Sequence, residues 1–294
     1  MRRVLLFVLT NIAVLVLLNI VLFILQAVFH VSLGNTGGLM VMAAVFGFGG
    51  AFISLAMSKW VAKRSTGAQV ITQPRNESES WLLATVRSEA QRAGIGMPEV
   101  AIYDAPEMNA FATGMRRDNA LVAVSTGLLR SMDRNQVQAV IGHELTHVAN
   151  GDMVTMGLIQ GVLNTFVIFL ARVVGTVIDN MLSGNRNSEG NSGGFFYFII
   201  VMVLQVVLGF FAGMIVMAFS RWREFRADAG GARLGGRDNM ISALRRLGGD
   251  TAEPAGLPKA MQAFGIAGGG GVSRLFMSHP PIADRIAALE KLAP

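Results

Sequence analysis

Residues 143–147 read His143-Glu144-Leu145-Thr146-His147. Positions i and i+4 lie on one face of a helix, so both imidazoles turn to the same side. Two imidazoles so placed can grip one Zn²⁺, and the glutamate beside the first can reach a water on the metal. The neighbouring residues specify the helix. Asp133 is a suitable N-cap with Gln136 three residues on, close to a capping box. Val137, Val140, Ile141, Leu145 and Val148 supply an apolar face, and Asn150-Gly151 is a fitting stop. The bland alternative is an ordinary helix that happens to carry two histidines.

A catalytic zinc takes three protein ligands and keeps one position open. The chain has no cysteine and only four histidines, His30, His143, His147 and His279, so the third ligand is sought among carboxylates. Glu224, in Arg223-Glu224-Phe225-Arg226-Ala227-Asp228, is the candidate. Asp228 shares its helix face and would accept the free ring N–H of a ligand histidine, with His143 the first choice. Taken alone, this segment also reads as a charged helix exit in which acids neutralise Arg221, Arg223 and Arg226.

Composition places these motifs in a membrane protein. Of 294 residues, 52% are apolar and 15% charged, against about a quarter charged in soluble domains. A helical span needs about 20 apolar residues. Residues 4–29, 39–57, 154–178 and 195–219 qualify, the third weakened by Gln160, Asn164 and Arg172. Arg2 and Arg3 ahead of the first run also suit a secretory signal, but the run is long and no small-residue cleavage site follows, so it reads as an uncleaved anchor. The net charge of +6 could suggest nucleic acid. The cations instead flank the apolar runs: Arg2 and Arg3, then Lys59, Lys63 and Arg64, then Arg221, Arg223 and Arg226. The positive-inside rule then puts both termini and residues 59–153 in the cytoplasm, with no nucleic-acid partner. Trp60 and Trp222 fall at membrane borders, Trp81 is assigned to the core, and His30 receives no role.

Four segments result. Residues 1–58 hold two transmembrane helices and 59–153 the first cytoplasmic part, with the two-histidine helix. Residues 154–219 form a hydrophobic hairpin, and 220–294 a second cytoplasmic part with the third ligand. The two ligand helices must share one side of the membrane, which an even number of intervening spans allows. In the first cytoplasmic part, 65–80 reads as a linker holding Pro74, 81–93 as a helix, and 99–103, 109–113 and 119–125 as strands. Residues 183–194 and the glycine-rich 265–271 read as loops, the latter a possible lid over the site.

These motifs, with Asn109-Ala110-Phe111-Ala112-Thr113-Gly114 and His279-Pro280-Pro281, make the chain similar over nearly its whole length to the HtpX-like M48 metallopeptidases. The resemblance implies an α+β, mostly helical integral-membrane protein with about four transmembrane helices. It implies a gluzincin-type metallopeptidase domain: an active-site helix, a small edge-strand sheet and a second ligand helix. The implied activity is zinc-dependent endopeptidase cleavage of misfolded or damaged membrane proteins, and of the chain itself, at the bacterial cytoplasmic (inner) membrane under stress. It uses one Zn²⁺ on His143, His147 and Glu224, with Glu144 as the base. His279 or Arg285 is expected to stabilise the transition state. Asn109, Ala110, Phe111 and Ala112 are expected to pair with an extended substrate. Three other readings stay open: a non-catalytic scaffold braced by zinc, a transporter, and removal of a C-terminal tripeptide from prenylated proteins. The spans show little of a polar pathway, and four of them are few for the last branch.

Overall fold

A computed structural model describes residues 36–183, 192–249 and 279–292. The expected first span, His30 and the glycine-rich loop 265–271 lie outside them, as does most of loop 183–194. The elements are α1 (Thr36–Thr66), β1 (Gln69–Val70), α2 (Glu77–Arg92), β2 (Glu99–Tyr103), β3 (Ala110–Arg116), β4 (Asn119–Ser125), α3 (Thr126–Ser131), α4 (Arg134–Asn150), α5 (Asp152–Ser183), α6 (Ser192–Gly235), α7 (Arg237–Gly249) and α8 (Ile282–Glu290). The chain divides into two compact units, Met1–Ile53 with Gly157–Val216, and Ser54–Met156 with Met217–Pro294.

In the first unit, Met40 and Ala43 of α1 pack on Phe169 and Val173 of α5. Small residues let these helices close up. A Cβ on Gly47 would strike Thr165, and one on Gly161 would stand 2.7 Å from the Phe48 ring. Among the described residues, three helices are long and apolar enough to cross a membrane: Gly37–Thr66, Asp152–Met181 and Phe196–Gly235. α6 is one helix of 44 residues, so the fourth apolar run and the segment that carries Glu224 are continuous. Nothing in Arg221-Trp222-Arg223-Glu224 stops a helix, because Arg and Glu are good helix formers and no proline intervenes.

The second unit is built on a four-stranded sheet ordered β1-β2-β4-β3. β2 and β4 run parallel, and the other two pairings are antiparallel. β3 is thus an edge, as expected, and extends to Arg116 rather than ending at Thr113. Residues 65–80 prove not to be a plain linker. Gln69 and Val70 pair with Ile102 and Ala101, and α2 begins at Glu77 because the Asn76 side chain accepts from the Glu79 N–H. That cap was hidden by the polar composition around Pro74.

One sheet face and two helices share the main core: Leu82, Val86 and Ala90 of α2, Val122 and Val124 of β4, and Ile141 and Leu145 of α4. Trp81 packs at its margin, with the Arg134 guanidinium 5.5 Å above its ring. Trp60 and Trp222 are largely exposed. On another side of α4, Ala139 packs with Met240, Ile241 and Leu244 of α7 and Leu289 of α8.

Glu89 of α2 is fully buried, and its carboxylate oxygens find no well-formed hydrogen bond among the described residues. Burial pushes its pKa up to about 7, and the nearby Gln138 amide and Arg92 guanidinium only partly oppose this. A raised folded pKa gives stability that is complete below the unfolded value of 4.5 and is lost as pH rises through about 7. Glu89→Gln should therefore raise the melting temperature more at pH 8 than at pH 5, from a difference on the order of 3 kcal/mol. Melting curves at the two pH values check this; an equal shift at both would refute it.

Candidate metal centre

Helix α4 is fixed at both ends. Asp133 and Gln136 form a complete capping box. Gly151 ends the helix in the left-handed conformation, φ 68°, which glycine adopts without strain. The turn brings Asp152, the first residue of α5, under the last turn of α4. There Asp152 Oδ2 lies 2.6 Å from His147 Nδ1.

Helix α6 supplies the facing carboxylates. Glu224 and Asp228 are one turn apart and both buried. Asp228 Oδ1 stands 2.9 Å from His143 Nδ1. Each histidine thus has a carboxylate at Nδ1, which leaves Nε2 for the centre. His143 Nε2 and His147 Nε2 are 3.1 Å apart. Glu224 Oε1 lies 3.3 Å from His147 Nε2, and Oε2 lies 3.6 Å from His143 Nε2.

These separations test the fit of a metal. Two bonds of about 2.05 Å at a tetrahedral angle put ligand atoms about 3.3 Å apart. The three observed distances bracket that value, and all three donors are buried. Acceptors turned on one another need a cation or protons between them. The rings accordingly favour protons. Burial disfavours a charged ring, yet Asp228 and Glu224 outweigh it and hold the His143 pKa above its ordinary value. For His147, Asp152 and Glu224 overcome burial and push it to about 9. A divalent ion would displace those protons.

Glu144 points elsewhere, toward the sheet edge. It is half-buried, and the Ala112 backbone of β3 lies near enough to favour its charged form. Burial pushes its pKa up, against the pull of His143 and His147. The structure therefore gathers the edge strand, Glu144 and the three donors in one place.

His279 is at the rim, its side chain largely exposed and its Nδ1 2.7 Å from Glu224 Oε2. Arg285, expected as a donor to the transition state, is buried, with its Nη2 3.6 Å from Glu224 Oε2. Its Nε and Nη2 lie 2.8 and 2.5 Å from the Asp228 carboxylate. The fork holds the carboxylate that faces His143 and offsets acid charge behind the centre.

Sequence reasoning missed Asp152, and with it Arg223, whose Nη1 donates to the Asp152 carbonyl at 2.6 Å. The signal was available. Asp152 follows the helix stop directly, and a ligand histidine needs an acceptor for its second nitrogen. Asp152→Ala is expected to weaken metal affinity about 10–100-fold. Competition with a chelator measures this. An unchanged affinity would show that His147 needs no such support.

Comparison with known proteins agrees with this geometry. The model for peptidase family M48 matches residues 76–293. The chain is 63% identical over 290 residues to "Protease HtpX" of Xanthomonas oryzae pv. oryzae (strain MAFF 311018), covering 98% of this chain and 97% of that protein. Identity and coverage are the same for "Protease HtpX" of Xanthomonas campestris pv. campestris (strain B100). The crystal structure of S. mikatae Ste24p is similar in fold, with a TM-score of 0.63 at 19% identity over 85% of this chain. This chain spans 58% of the length of that one. A match over most of the chain, relatives along nearly its full length and three span-length apolar helices lead to one conclusion: the chain is a membrane protein that belongs to peptidase family M48.

Proposed function

We propose that this chain is a zinc-dependent endopeptidase of the bacterial cytoplasmic membrane, with its site facing the cytoplasm, that cleaves misfolded or damaged membrane proteins. The observation that carries the reading is the buried group His143, His147 and Glu224, whose donor atoms lie within 4.8 Å of one another. His₂Glu with an open position is a donor set used by hydrolytic zinc. When bound, the ion acidifies water and polarises the scissile carbonyl.

The remaining steps fall to the chain. The β3 edge pairs with an extended substrate through backbone hydrogen bonds, which reads shape rather than sequence. Loose specificity suits damaged proteins as substrates. Glu144, beside Ala112 on that edge, takes a proton from the attacking water and delivers it to the leaving amine. Its raised pKa makes it the better acceptor in the first half of that exchange. His279 at the open rim is the residue placed to donate to the developing oxyanion. Asp152, Asp228 and Arg285 keep the rings oriented. The cations flanking the apolar helices support the cytoplasmic orientation.

The test uses detergent-purified protein, with metal content and casein cleavage measured on the same preparation. Chelation should abolish cleavage, and one equivalent of zinc should restore it. Cleavage that survives full metal removal sinks the reading.

A further inference from the structure

The hairpin joining β3 to β4 ends in Met115-Arg116-Arg117-Asp118, and all four residues are exposed. Met115 is an apolar side chain near the end of β3, two residues before the turn, 38% exposed. The tip does not wave freely. Gly114, φ 137°, sits at a register shift in the hairpin, and a Cβ there would meet Ala120 and Asn119 at 3.0 Å. The kink brings the hairpin against α1. Lys59 Nζ donates to Asn119 Oδ1 at 2.6 Å and to Glu99 Oε1 at 2.8 Å. Lys63 reaches the other oxygen of Glu99 at 3.1 Å.

Lys59 lies on the last stretch of an apolar helix, just after the uncharged run 39–57. Trp60 beside it is 60% exposed. On the far side of the tip, Asp118 accepts from the Gly96 N–H, which sets Met97, 40% exposed, next to the hairpin. Three exposed large apolar residues, Met115, Trp60 and Met97, therefore adjoin along the chain the members of a cluster where Lys59, Lys63 and Arg116 outnumber Glu99 and Asp118. An aqueous surface gains nothing from that mixture. Interfacial indoles, apolar side chains that dip below headgroups and a cation excess are what an anionic bilayer surface attracts.

We infer that the β3–β4 hairpin tip, locked to α1 through Lys59, docks on the anionic lipid surface beside the membrane exit of that helix, with Met115 entering the headgroup layer. The inference goes beyond the proposed peptidase reading and adds to it. Ala112, near Glu144, is three residues from Met115, about 10 Å along the strand. If β3 is the substrate edge, that edge rises from the bilayer surface to the catalytic glutamate. A membrane protein would then need only a short unfolded stretch to reach it.

The chain has no cysteine, so one introduced thiol gives one label. Full-length protein carrying Glu144→Gln, which prevents cleavage, receives Met115→Cys with an environment-sensitive fluorophore. It is placed in bilayers containing a lipid quencher at the upper acyl chain. Asn135→Cys is the comparison, exposed at the start of α4 and about 25 Å along that helix from the α5 junction. Met97→Cys is a second probe of the patch. Quenching at 115 and 97 should exceed that at 135 several-fold in phosphatidylcholine mixed with phosphatidylglycerol, and fall in phosphatidylcholine alone. Arg116→Gln should lower the docked-to-undocked ratio about fivefold. Equal quenching at 115 and 135, or quenching at 115 that ignores both lipid charge and Arg116→Gln, overturns the inference. Neither result bears on whether the protein is a peptidase, because no step of the measurement requires turnover.

Discussion

Glu144→Gln should lose about 10²–10⁴-fold in turnover, the usual worth of a general base, while binding metal as tightly as the parent. The two halves of this expectation come from different observations. Glu144 is not among the three clustered donors, so the metal group stays complete without it. Its carboxylate lies near the Ala112 backbone at the sheet edge, where an attacking water and a paired substrate would meet. Glutamine keeps the size and still offers an oxygen to Ala112, so neither β3 nor α4 should move. What it cannot do is accept a proton. Zinc stoichiometry, melting temperature and casein cleavage on the same preparations separate the possibilities. If the enzyme reading is right, only cleavage changes. A scaffold braced by zinc predicts the reverse pattern, with Glu144→Gln silent and His147→Ala unfolded. A variant that cleaves at the parent rate would remove Glu144 from the chemistry and the proposed mechanism with it.

Much of this site was readable before any coordinates. The spacing of His143 and His147 on a helix requires that they face one way. Asp133, Gln136 and Gly151 mark the ends of that helix through local hydrogen bonding alone. The same periodicity puts Glu224 and Asp228 on one face, though that segment alone also read as a charged helix exit. The strands at 99–103 and 119–125 were legible because both are short runs of β-branched and small apolar residues. What could not be read depends on tertiary approach. Nothing local in Gln69-Val70 announces a strand, because two residues have no period and need β2 to pair with. Arg285 looks the same in sequence whether its guanidinium faces a substrate or a buried aspartate. Its place follows from α8 packing on α7, a contact between segments dozens of residues from the motif.

The distance between the two ligand helices depends on a second feature that the motif hides in its fourth letter. Thr146 does no metal chemistry. It is buried, its hydroxyl donates to the Gly142 carbonyl at 2.7 Å, and it packs against Gly230 of α6. A Cβ on Gly230 would collide with the Thr146 hydroxyl and methyl, and one on Gly235 would stand 2.6 Å from the Ala139 Cα. A Cβ on Gly231 would be nearly as close, 3.0 Å from the His143 backbone nitrogen. Three glycines in six residues thus let the α6 backbone touch α4 over the stretch that carries the histidines.

Gly230→Ala should therefore push the helices apart and carry Asp228 and Glu224 away from the rings. Overpacking of this kind costs about 1–3 kcal/mol of stability. Metal affinity should fall about 10–100-fold, as when a carboxylate supporting a ligand is lost. Thr146→Ala removes the hydroxyl and methyl but leaves its Cβ at 2.8 Å, so the double variant should recover part of the affinity. Gly235→Ala meets backbone, and no trimming of a side chain relieves it. Gly213→Ala is the control on the same helix. Among the described residues nothing stands within 4 Å of its Cβ, and alanine there should stabilise the helix by up to about 1 kcal/mol. Chelator competition and melting curves read all four variants. Should Gly230→Ala bind metal like the parent, or Thr146→Ala fail to rescue it, the glycine contact does not set the spacing of the site. The two histidines and the glutamate would then owe their geometry to the caps of α4, to Asp152 at His147 and to the clamp of Arg285 on Asp228.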